Sequence, residues 1–179
     1  MPPLNDAVNV ALAVDVLTRL NTLSHENMER GLRDILQSVG QRLHLDRVAL
    51  WDYDELTRRL DRIWFWQLPG TAEAQITDSF PLEILRDPGI DTSLDVFAVD
   101  DIEAGTDLSP IRLLAPSITG KALLAAFRHR DGALSGALVF MMLDHPRNWS
   151  ASDHAIVRLL VHAFDATTLR ARAERRSAC

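Results

Sequence analysis

Apolar residues along this chain recur with two periods, and the switch between them marks out its elements. From Asp6 to about Leu23 they fall at helical spacing, as Ala7, Val8, Ala11, Leu12, Leu17 and Leu20, which predicts an amphipathic helix. A second helix is expected to open at Ser24 as N-cap, with Glu26 in the first turn, where a carboxylate suits the helix dipole. Its apolar stripe is Met28, Leu32, Ile35, Leu36, Val39 and Leu43. Strand formers then take over. Val48–Tyr53 and Leu60–Gln67 read as a hairpin around a polar turn at Asp54–Arg58, and Pro69-Gly70 ends it.

Residues 70–118 differ in character: five of the eight prolines lie between positions 69 and 116. A short strand is expected at Asp95–Val99 and about two turns of helix after Ser109, within a long crossover of the kind that is often functional. Lys121–His129 and Leu134–Leu143 then form two strands joined at Arg130-Asp131-Gly132-Ala133, where Asp-Gly is a strong hairpin signal. Neither strand alternates cleanly. A strand apolar on both sides must be covered on both sides, so helices cover one face of this sheet and something else covers the other. Ser150 caps the last helix, with Asp153 placed as in a capping box. Its apolar residues between Ile156 and Phe164 spread over roughly 200°, wider than one contact surface requires. A second partner is needed, either the N-terminal helix or another subunit. The order of elements gives an α+β fold with terminal helices on one face.

With 179 residues and 47% hydrophobic content the chain is one domain with a sizeable core. Net charge of −6 argues against nucleic acid and anionic membranes as partners. No uncharged apolar run is long enough to span a bilayer. The single cysteine, Cys179, forms no internal disulfide, and with no signal-peptide pattern at the start a cytoplasmic location is expected.

Four pieces in order resemble the GAF domain, a sensory relative of PAS. "LRDILQSVGQRLHLDRVALWDYDE" is similar to the family's helix leading into its first strand, and "FAVDDI" to the crossover strand ending in an acidic turn. "ALLAAFRHRDGALSGALVF" resembles the core hairpin, and "HPRNWSASDHAIVRLLVHAF" the lead into the final helix. The match covers roughly residues 20–170. It implies a central antiparallel sheet of five or six strands, with N- and C-terminal helices on one face and a crossover pocket on the other. The expected organisation is an N-terminal dimerisation or signalling helix at 1–22, the GAF domain at 23–170 and a tail at 171–179. The resemblance also implies a small-molecule ligand, a homodimer through the terminal helices, and signalling to an output domain or to a kinase in trans, as in two-component systems or diguanylate cyclases. The alternative is a ligand-free dimerisation or protein-interaction module with the same fold.

Family ligand signatures narrow the choice. Covalent bilin needs a cysteine near the crossover, the sulfoxide reductases need redox cysteines, and the only cysteine is terminal. Haem-binding members supply a histidine near the crossover, and none lies between His44 and His129. The Asn-Lys…Phe…Asp-Glu set of cyclic-nucleotide binders is missing. What remains is a non-covalent organic ligand or none.

Other motifs carry no chemistry. His129-Arg130-Asp131 has the letters of a kinase loop, but Gly136 stands where a metal-holding Asn is needed. The six histidines form no metal box, and no nucleophile–base pair is evident, so an enzyme is not expected. Trp51, Tyr53, Trp64, Phe65 and Trp66 serve either as cross-strand core or as a pocket wall. In the pocket reading, Trp51, Trp64, Trp66, Phe97, Arg112 and Phe140 hold a planar ligand with one anionic group.

Overall fold

The computed structural model describes residues 6–24, 26–71, 79–81, 95–104 and 120–177. Among them lie helices α1 (Asp6–Thr22), α2 (Met28–Arg42) and α3 (Ala151–Ser177). The strands are β1 (Arg47–Asp54), β2 (Arg59–Gln67), β3 (Ser79–Pro81), β4 (Val96–Val99), β5 (Ala122–Arg130) and β6 (Ala133–Met142). They form one sheet in the order β3-β2-β1-β6-β5-β4, antiparallel throughout. This is the expected α+β architecture. β1 and β6 meet at its centre, while β3 and β4, two described parts of the crossover, are its two edges.

The Asp-Gly turn and the capping box have their counterparts. Asp131 (φ 53) and Gly132 (φ 78) both take left-handed backbone in the two-residue β5–β6 turn, the geometry an Asp-Gly hairpin supplies. Ser150 Oγ accepts from the Asp153 amide at 3.1 Å, and Asp153 Oδ2 accepts in return from the Ser150 amide at 3.0 Å. That reciprocal pair satisfies two donors at the start of α3.

One cap differs. Ser24 does not open α2; the helix begins at Met28 after Asn27. Asn27 Oδ1 accepts from the Ser24 amide at 2.8 Å, and the Asn27 amide donates to the Ser24 carbonyl at 3.3 Å. The two residues thus close a turn ahead of the helix, which delays its start by one turn. β3 was not anticipated, and the helix expected after Ser109 falls outside the described residues.

All three helices share one face of the sheet. α2 buries Met28, Leu32, Ile35, Leu36 and Val39, and Gly40 lets the Trp66 ring lie where a Cβ would collide with it. α3 buries Ile156, Val157, Leu160, Val161 and Phe164. α1 adds Leu12, Val16 and Leu20 to the same core. Asn9 Nδ2 donates to Ser152 Oγ at 2.6 Å near one end, and Arg170 donates to the carbonyls of Leu20 (2.7 Å) and Leu23 (3.1 Å) at the other. α1 and α3 therefore lie side by side in parallel, and α1 is the second partner that the broad apolar arc of α3 required. No helix among the described residues is long and apolar enough to cross a membrane.

Candidate functional site

Successive side chains of a strand point to opposite faces, and here both faces exclude water. Val48, Leu50, Ala122, Leu124, Ala126, Leu138, Phe140 and Met142 join the helix-side core. Their neighbours Ala49, Trp51, Leu123, Ala125, Phe127, Ala137 and Met141 form a second buried cluster with Leu60 and Ile102. Tyr53, Phe65, Phe97, Val99 and Val139 pack around it. Ile102 reaches this cluster from the crossover; the rest of the cover expected from 70–118 lies largely outside the described residues.

A bulge decides which aromatics belong to which face. Leu50 pairs with Trp64, but the next β1 residue, Trp51, pairs with Arg62, so β2 holds one extra residue, Ile63. Trp64 and Trp66 thereby face the helices, whereas Arg62, Phe65 and Gln67 share the second face with Trp51. Of the six residues expected to hold a ligand, Trp51 and Phe97 lie on the second face. Trp66 and Phe140 are buried in the helix-side core and Trp64 packs against it. Arg112 lies outside the described residues. The sheet itself separates these groups, so one ligand cannot touch them all.

The second face carries polar groups that sequence patterning missed. Arg47, 1% exposed, sits opposite Gln67, and its Nε donates to Gln67 Oε1 at 2.9 Å. The guanidinium of Arg62 lies 4.7 Å from the centroid of the Phe65 ring, a cation–π geometry. Burial pulls the Arg47 guanidinium below its usual pKa; Asp46 works against that shift, and the positive charge of Arg62 adds to it. The two guanidinium groups therefore feel one another. The bulge at Ile63 hid this pairing, because strict alternation would set Arg62 and Phe65 on opposite faces.

On the helix side a third arginine ties the layers together. Arg128, 1% exposed, donates to Asp52 Oδ1 (2.6 Å) on β1, the Ser135 carbonyl (3.1 Å) on β6 and Asp165 Oδ1 (2.9 Å) on α3. It also reaches the Trp51 carbonyl at 3.2 Å. A Cβ at Gly136 would run into Arg128 Nη2 and that same carbonyl, so the glycine makes room for the guanidinium. Arg130, from the kinase-like triplet, pairs with Asp165 at 3.2 Å and belongs to this structural network.

Two surface clefts lined by described residues lie elsewhere. One of about 650 Å³ opens at the C-terminal end of α2, between His44, Asp46, His145 and Arg147. Its charges are engaged within the fold: Arg147 with Asp153 at 2.9 Å, and Asp46 Oδ2 with the Leu143 amide at 2.7 Å. The other, about 470 Å³, lies beside the β1–β2 turn among Asp52, Asp54, Glu55, Asp61 and Arg130. No cluster of three or more His, Cys, Asp or Glu side chains suited to a metal occurs among the described residues.

Solved structures share this architecture. The GAF domain of a phosphoenolpyruvate-protein phosphotransferase from Coxiella burnetii superposes with a TM-score of 0.70 at 16% identity, over 96% of this chain and 99% of that one. A phycocyanobilin-bound GAF domain from a cyanobacterial phytochrome gives 0.73 at 14% identity, covering 93% and 96%. Free methionine-R-sulfoxide reductase from Neisseria meningitidis, in complex with its substrate, gives 0.65 at 13% identity, covering 92% and 93%. No family model matches the sequence, and no curated protein does either. The chain has the fold of a GAF domain.

Proposed function

We propose that this chain is a sensory GAF module that holds a small organic ligand non-covalently on the second face of its sheet. In this reading the signal leaves through α1 and α3 at the seam of a homodimer, towards an output domain or a partner. The observation that supports it is the doubly buried sheet. Helices account for one buried face, and the other presents Trp51 and Phe97 beside two arginines, a mainly apolar surface with a few convergent polar groups of the kind small-molecule sites use. Two of the similar structures are described with a bound phycocyanobilin and with a bound substrate.

The outer surface of α3 supports the dimer. Ala155, Leu159, His162, Ala166 and Leu169 are all exposed and follow one another at intervals of four and three residues. This is the spacing by which one helix meets a like helix in a coiled coil. Val10 and Val14, 63% and 59% exposed, form a second apolar strip on α1. Mass spectrometry of the protein under non-denaturing conditions tests both parts: a dimer that releases a small molecule on activation is the expected result. A bare dimer whose melting temperature no compound raises would support the ligand-free interaction module instead. One observation favours that second reading: Trp51 is only 7% exposed and Ala125 only 4%, so little of this face is open to water.

A further inference from the structure

We infer that Asp100, Arg147 and Trp149 form a latch that couples the second face of the sheet to the start of α3. The inference rests on the reading of α3 as a helix through which the signal leaves, and it names the contact that would carry a signal there. One stretch of chain, residues 96–102, belongs to both sides. Phe97 and Val99 pack against the second cluster and Ile102 is part of it, while Val96 and Ala98 turn to the helix-side core. Among the described residues β4 pairs with β5 alone. A strand with one hydrogen-bonded neighbour opens more readily than an inner one.

At its far end this stretch grips the segment that leads into α3. The Val99 carbonyl accepts from Trp149 Nε1 at 3.1 Å, and Asp100 Oδ1 accepts from the Trp149 amide at 3.1 Å. The Asp100 carbonyl accepts from the Arg147 amide at 2.9 Å. Arg147 carries the grip further. Its guanidinium lies 4.6 Å from the centroid of the Trp149 ring, and it donates to Asp153 Oδ1 at 2.9 Å and to the Leu43 carbonyl at 2.7 Å. Asp153 closes the capping pair of α3, and Leu43 caps the end of α2. A displacement of β4 and Ile102 therefore either moves the first turn of α3 with it or breaks part-buried hydrogen bonds around Trp149. Coupling needs contiguous contacts with two arrangements. Here these are a latch closed on Val99 and Asp100, and one released from them.

Amide hydrogen exchange on the full chain reads this link with no ligand present. Asp100→Ala should speed exchange about tenfold at His154 and Ala155, near the start of α3, while Ala163 and Phe164 stay within about twofold. Asp100→Asn keeps an oxygen acceptor and should stay within about threefold of the native rate at the same amides. Ile102→Ala, a change within the second cluster, should speed His154 and Ala155 about fivefold. With Asp100→Ala and Trp149→Phe already present, that added effect should fall below about twofold. Tyr53→Ala, beside the same cluster but three strands from β4, should leave these amides within about twofold. Ile102→Val repeats the test with a milder change should the alanine variant fail to fold. An effect at position 102 that is absent, that persists once the latch is cut, or that falls equally on Ala163 and Phe164 overturns the coupling and leaves the ligand site and the dimer standing. A protein that releases no small molecule in the mass-spectrometric test removes the ligand reading and leaves the coupling measurable.

Discussion

The two faces of this sheet are built from the same strands and differ in what fills them. On the helix side, large aliphatic and aromatic residues such as Leu50, Leu124, Leu138 and Phe140 reach zero exposure against three helices. On the other side, Ala49, Ala125 and Ala137 alternate with Trp51, Phe65 and Phe97, and two arginines stand among them. Close packing of large side chains is what stabilises a core. Small residues beside aromatics, with charged groups among them, give up some of that stabilisation. Two differently filled layers are thus divided between the even and odd residues of one strand.

Substitutions matched across the faces test that division, and the largest effect is expected on the helix side. Phe140→Ala should cost about 3–5 kcal/mol in denaturant unfolding, whereas Phe97→Ala, half-buried on the second face, should cost about 1–2 kcal/mol. Equal losses would break the comparison. Arg128→Met leaves Asp52 and Asp165 without their buried cation and should cost about 3 kcal/mol; Gly136→Ala, which pushes on the same guanidinium, should cost about 2 kcal/mol. A change at Arg128 that left stability untouched would remove its role in fixing α3 to the sheet. Asp153→Ala removes the return half of the α3 capping pair and the partner of Arg147, for an expected loss of about 1–2 kcal/mol by thermal unfolding.

Smaller effects concern surfaces outside both cores. Leu159→Glu with Leu169→Glu should convert a dimer to a monomer in sedimentation experiments while changing monomer stability by less than about 0.5 kcal/mol. Asp54 gives the smallest signal. Hydrogen bonds from the Leu56 amide and the Thr57 hydroxyl hold its carboxyl below the usual carboxylate range. A carboxylate lowered in the folded state stabilises it above the unfolded value, and that contribution fades as pH falls through the folded value. The Leu56 amide resonance should therefore titrate with a midpoint below the ordinary aspartate range, with no change at Leu124 or Ala125.

Local signals were legible wherever neighbouring residues decide the structure. The α2 stripe, the Asp131-Gly132 turn, the capping pair at Ser150 and Asp153 and the doubly apolar β5–β6 hairpin all stand as the sequence pattern implied. Ser24 misled because a good cap competes with a good turn, and Asn27 sits three residues on to close one. The site was harder to read. A single extra residue at Ile63 reverses which side chains of β2 share a face, and no local pattern announces it. Hence Trp51, Trp64 and Trp66, alike in sequence, fall on two faces, and no strand pattern sets Arg62 on the face of Phe65. Arg128 and Gly136 are equally invisible in sequence, since their fit exists only once β1, β5, β6 and α3 have met.

Thiol reactivity at adjacent β5 positions probes the concealed second surface most directly. With Cys179→Ser as background, Ala125→Cys and Ala126→Cys place one thiol on each side of the sheet. Each should react with a disulfide reagent at least about a hundredfold more slowly than the unfolded chain, because reaction waits on local opening. Slow reaction at position 126 combined with unfolded-chain reactivity at 125 would mean that the far side is bare, and the receptor surface would be lost with it.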